Sequence, residues 1–374
     1  MQENILEYMK RYGSRSFSEE PFTEGDDLAL VLVSYLDFSG LAGIRPVPLG
    51  ELYEAYSKRR HVFTALSIDA RPVLKAMAGS ERYRGVLVSD YSEEGGVPGD
   101  GESAGDTQFA ALCFHLPTGE RYACFRGTDS SLAGWREDFS FAFMDETGGQ
   151  RAAAEYLRHL MLRYPGPFMT GGHSKGGNLA VYAAASLPEP LRARISAVWS
   201  NDGPGFRESV LKQPGFQDIK GRVRLFIPES SFVGLIMAGD WPRTVIKSSG
   251  MLMFQHIPDK WHVGRDGRFV RAEGLSFFSR WCGDALERWL AAMDDEERRL
   301  FVEAVFSALE SSGLRDLNEF SDDLAGRAGA VIRSVQRMER SRRLHILRMI
   351  SRLGKASAEA VIDRVLELLP GDDN

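Results

Sequence analysis

Gly171-Gly172-His173-Ser174-Lys175-Gly176-Gly177 contains the pattern Gly-x-Ser-x-Gly. A serine hydroxyl is a weak nucleophile until a base takes its proton and N–H groups receive the oxyanion that forms. The pattern suits that task when the serine sits in a sharp strand-to-helix turn, where the residues two before and two after it must be small. The flanking residues provide that context. Phe168-Met169-Thr170 reads as a short strand, and a small-residue helix is expected from about Asn178 through 179–187. Ser174 is therefore the candidate nucleophile. The competing reading is a glycine-rich turn with an ordinary N-cap serine. Gly101-Glu102-Ser103-Ala104-Gly105 fits the same pattern, but no strand precedes it and no helix follows, so it reads as loop. His173 neighbours Ser174 in sequence only. Its side chain is expected to point elsewhere and to be structural.

The other groups follow from what such a serine requires. Phe125-Arg126-Gly127-Thr128-Asp129 ends an upstream strand, so the Thr128 and Lys175 N–H groups are the expected oxyanion hole. The order serine, acid, histidine leaves His256, His262 and His345 as bases. His345 lies in a helical tail. His256 follows the last strand candidate, 244–246, and is preferred over His262. For the acid, Asp202 follows the apolar strand 195–199 in a Gly/Pro turn and is preferred over Glu229 and Asp240. A turn aspartate bonding its own backbone is the plain alternative. If none of the three acids serves, a Ser–His dyad or an inactive scaffold remains.

These residues need elements to position them. Short β-like runs at 84–88, 109–115 and 122–125 precede the serine, with a Pro-Thr-Gly turn between the last two. Residues 92–106, rich in glycine and acid, read as a loop. Helical periodicity covers 150–163, and strands at 195–199 and 223–227 follow. Strands alternating with helices imply a mainly parallel sheet covered by helices. The expected fold is an α/β-hydrolase fold in three parts: a helical N-terminal segment (1–80), an α/β core (81–275) and an all-helical C-terminal extension (276–374). The 374 residues give room for one large domain with an appendage.

Composition narrows the class. A net charge of −6 argues against nucleic-acid binding by the whole surface. Three cysteines, Cys113, Cys124 and Cys282, form no CxxC pair or metal-ligand spacing. A thiol-poor chain suits a reducing cytosol. The acidic start and the lack of an apolar run of about 18 residues fit neither a signal peptide nor a membrane span. The expected localisation is cytoplasmic. Between Arg327 and Lys355, eight arginines and one lysine face a single acid, Glu339, with apolar residues interleaved at helical spacing. That pattern fits a helix packed on its apolar side. It also fits contact with a membrane surface or an acidic partner.

The FRGT segment, Trp135, Asp138 and GHSKGGNLA together resemble the class 3 lipase branch of α/β-hydrolases. The likeness is closer to a bacterial family of Mbeg-like hydrolases, through Arg82-Tyr83, Gln108 to Ala111, Glu137-Asp138-Phe139, Asp202 to Phe206 and Gln255-His256. It spans roughly residues 1–265 and implies a fold and a nucleophile, with no substrate carried over. The chain departs from class 3 lipases in two respects. Their acid lies one strand later than Asp202, where this chain has Pro228-Glu229-Ser230-Ser231 and no aspartate, and the base differs as well. In those lipases the histidine of a stretch like 254–261 is not the base, and a later one is; no suitable later histidine exists here. The function expected is a serine hydrolase acting on a small-molecule or lipid ester without a metal or organic cofactor. The alternatives are a thioesterase or acyltransferase, or a non-catalytic binding module on the same scaffold.

Overall fold

A computed structural model describes residues 4–59, 68–94, 107–129, 131–313 and 324–368. The N-terminal segment contributes α1 (Ile5–Tyr12), α2 (Glu24–Val33), α3 (Leu49–Ser57) and α4 (Arg71–Ala78), with a two-residue strand, β1 (Val47–Pro48), between α2 and α3. The apolar run Leu28–Val33 is buried all round, so α2 is a core helix. A capping box between Thr23 and Asp26 starts it. Asp26 also receives the buried Arg82 guanidinium, with Nε at 2.7 Å, and the Tyr83 hydroxyl at 2.7 Å.

The sheet continues through β2 (Leu87–Glu94), β3 (Phe109–His115), β4 (Arg121–Phe125), β5 (Phe168–His173), β6 (Ile195–Asn201), β7 (Val223–Pro228) and β8 (Arg243–Ile246). Its eight strands lie side by side in chain order; β1 to β4 pair antiparallel, and β4 to β8 pair parallel. Parallel neighbours need crossovers. Between β4 and β5 run α5 (Leu132–Ser140) and α6 (Gly148–Arg163); between β5 and β6 run α7 (Lys175–Ser186) and α8 (Glu189–Arg192). Next come α9 (Glu208–Leu211) and α10 (Pro214–Ile219) before β7. Alternate strand residues feed two cores. Leu112 and Phe114 of β3 pack with α1 to α4, while Ala111 and Cys113 pack with α6 and α7.

Three readings of the sequence change. Ser92, Glu93 and Glu94 continue β2 instead of opening a loop, because they pair with Ala111, Ala110 and Phe109, and Arg126 holds Glu93 at 2.6 Å. Residues 84–86 form a turn, and the strand starts at Leu87. The rest of the expected loop, 95–106 with Ser103, lies outside the described residues. The helix after the serine begins at Lys175, three residues earlier than Asn178.

The C-terminal part is helical: α11 (Phe277–Ala291), α12 (Asp295–Ser311), α13 (Leu324–Arg337) and α14 (Arg340–Leu368). Among the described residues, no helix is long and apolar enough to cross a membrane.

Candidate active site

Ser174 occupies the turn between β5 and α7 at φ 56° and ψ −129°. Left-handed φ is costly for a side-chain-bearing residue, and such strain concentrates at functional positions. The neighbours make the turn possible. A Cβ on Gly172 would lie 2.5 Å from the Phe125 carbonyl, and one on Gly176 would overlap the same oxygen. The glycines two before and two after the serine are therefore required by close backbone approach. Ser174 is buried, and its N–H donates to the Asn201 carbonyl at 2.9 Å, tying the turn to the end of β6.

Asp202 follows β6 directly, at φ 52° and with no solvent exposure. Its Oδ1 accepts the Gly234 N–H at 2.9 Å. Its Oδ2 accepts the Ser231 hydroxyl and, at 2.7 Å, His256 Nδ1. A carboxylate partner makes Nδ1 the protonated nitrogen, which leaves Nε2 with a lone pair. The structure thus brings His256 and Asp202 together. Ser174 Oγ makes no hydrogen bond among the described residues, so the expected Ser174–His256 bond is not closed here. Such contacts commonly tighten only with substrate. The other candidates lie elsewhere. His262 Nδ1 is buried without a partner, and burial lowers its pKa. Asp240 is exposed and pairs with Lys220 at 3.1 Å. The Glu229 main chain bridges the Ile246 carbonyl and the Ser276 N–H. His345 donates to the Glu297 carbonyl in the helical tail.

Thr128 and Lys175 flank the serine turn. Lys175 opens α7, where first-turn N–H groups have no intrahelical acceptor. Neither its N–H nor that of Thr128 has an acceptor among the described residues. Their side chains are held from α5. Thr128 Oγ1 donates to Asp138 Oδ2 at 2.5 Å, and Lys175 Nζ pairs with Glu137 Oε2 at 2.9 Å, fully out of solvent. Glu137 also accepts the Gln108 N–H at 3.0 Å and the Gly149 N–H at 2.5 Å. A buried ion pair with its other lone pairs satisfied is a positioning device, since removing either partner strands a charge.

Burial pushes the Asp138 carboxyl up to about 7, and its Oδ1 has no partner. The folded chain therefore holds this proton across the range from about 4 to 7 where the unfolded chain has lost it. Stability from this group is present at low pH and is lost as pH rises through that window. Asp138→Asn is expected to flatten the fall. Urea unfolding across pH 4–8 measures it; an unchanged slope would refute the assignment.

His173, expected to be structural, has a definite task. Its Nε2 faces the His256 carbonyl at 2.7 Å and must donate, so Nδ1 accepts from the Tyr35 hydroxyl at 2.7 Å. Burial keeps this imidazole well below its usual pKa, and the His173 and His256 rings lie 4.5 Å apart. Tyr35 also packs on the loop that carries Thr128, because a Cβ on Gly127 would overlap its hydroxyl. Tyr35→Phe would leave Nδ1 unsatisfied, with an expected loss of about 1–3 kcal/mol in denaturant unfolding. Unchanged stability would show that the bond contributes nothing. Sequence alone marks out no role for Tyr35, Ser231, Glu137 or Asp138. Glu137 and Asp138 lie in the resemblance motif, whereas Tyr35 and Ser231 lie in no motif.

A mixed α/β protein with a strained buried serine and a paired histidine and aspartate beyond adjacent parallel strands is the class these features define. The Mbeg1-like family model matches residues 77–307, more than half of the chain, and the chain belongs to that family. The match contains every motif of the resemblance, from Arg82 to His256; it begins later than the expected span of roughly 1–265 and continues through α11 into α12. No curated protein matches the chain.

Proposed function

We propose that the chain is a serine hydrolase of the α/β-hydrolase fold that cleaves a carboxylic ester through an acyl-enzyme on Ser174. The observation that carries this reading is the strained Ser174 at the start of α7, with His256 bonded to Asp202 at 2.7 Å beyond the neighbouring strand. His256 Nε2 takes the hydroxyl proton as Oγ attacks the carbonyl carbon. The Lys175 and Thr128 N–H groups receive the oxyanion. The imidazolium then gives its proton to the leaving alcohol. Water, activated by the same nitrogen, releases the acid and restores the serine. Asp202 holds the tautomer throughout. The chemistry uses only these groups and water, and the thiol content suits a cytoplasmic setting.

A fluorophosphonate probe tests the reading directly. Covalent labelling at Ser174, with turnover of p-nitrophenyl esters of graded acyl length, is the expected result. An intact, folded chain that neither labels nor hydrolyses any ester would overturn it in favour of a binding module.

A further inference from the structure

We infer that the outward face of α14, over its N-terminal half, docks on an anionic lipid bilayer. Its inward face is committed. Ile346, Met349, Ala356 and Ala360 are buried, the Trp289 indole donates to the Met349 carbonyl at 2.9 Å, and Arg352 pairs with Glu297 at 3.0 Å. The face turned away from α11 and α12 differs. Leu344, Leu347 and Ile350 are 47%, 53% and 54% exposed, although a solvated helix face has no use for three large aliphatic side chains. Arg340 and Arg348 are exposed beside them, four residues either side of Leu344. Among the described residues neither arginine has an acidic partner, in contrast to Arg352 and Arg364, which pair inward.

Charge selects the occupant. Residues 333–355 carry eight cations and one acid in a chain of net charge −6, so the positive charge is concentrated here while the rest is more acidic. A second copy of this face would be repelled. A nucleic acid would satisfy the arginines but offers nothing to exposed leucines, and no Phe, Tyr or Trp lies between 327 and 364 to stack on a base. A bilayer with anionic headgroups satisfies both, because aliphatic side chains enter the acyl boundary while arginines stay at the phosphates. The inference does not depend on the hydrolase reading.

Co-sedimentation of the full chain with vesicles tests it. Binding is expected to phosphatidylglycerol-containing vesicles and not to pure phosphatidylcholine, and it should weaken as salt is raised. Arg340→Gln/Arg348→Gln should lose about fivefold in partitioning per arginine. Leu344→Ser/Leu347→Ser should also weaken binding, with helicity and melting unchanged because all four side chains are exposed. The salt titration on the unsubstituted chain applies the same charge test should a variant misfold. No binding to anionic vesicles, indifference to either double substitution, or tighter binding to duplex DNA or polyglutamate at equal salt would overturn the proposal.

Discussion

Replacing Ser174 with alanine is expected to remove ester hydrolysis and fluorophosphonate labelling together, with kcat falling by about 10⁵-fold or more. The size follows from the chemistry. Without Oγ no acyl-enzyme forms, and what remains is the stabilisation an oxyanion hole gives to direct attack by water. The Ser174→Ala chain should fold normally. The strain at φ 56° belongs to the backbone, and alanine meets the same constraint without adding atoms. Ser103→Ala is the matched control, since it alters the second Gly-x-Ser-x-Gly pattern, and its activity should equal that of the unaltered chain. Kinetics of both variants under identical folding checks decide the matter. Comparable losses in the two, or retained activity in Ser174→Ala, would remove Ser174 from the mechanism.

The second large effect concerns the pair behind the serine. Asp202→Asn should lower kcat by about 10³–10⁴-fold with little change in KM. Asp202 Oδ2 accepts from both His256 Nδ1 and the Ser231 hydroxyl. An amide nitrogen at that position would need an acceptor, which pushes the imidazole proton onto Nε2, the nitrogen that must accept from Ser174. His256→Ala should cost as much as Ser174→Ala. The double variant should be no worse than either single one, because residues that act as a unit give non-additive losses. Multiplicative losses in the double variant would show that the two do not share a step. An Asp202→Asn chain with full kcat would assign the carboxylate to loop structure alone, through its bond to the Gly234 N–H.

Much of this arrangement was legible in the sequence, for local reasons. The serine turn is specified by residues within three positions of Ser174, since its glycines answer clashes with Phe125 on the adjacent strand and its helix follows at once. Alternating strand and helix patterns carry the parallel sheet, because each periodicity is a property of its own segment. Chain order narrowed the histidines to three and the acids to three. The remaining choices were tertiary. Asp202 and His256 are 54 residues apart, and only the ordering of β6, β7 and β8, with the return through the 3₁₀ turn Leu252–His256, sets one carboxylate against one imidazole. Tyr35 is still more remote, 138 residues from the His173 it bonds, and a tyrosine beside a core helix carries no local mark of that role. The same holds for Ser92 to Glu94. Their composition favours loop, and they become strand because β3 offers them a partner. Periodicity and turn chemistry act over a few residues, so sequence determines them directly. Which polar side chains meet depends on how the chain closes, and that is settled only when the whole sheet has formed.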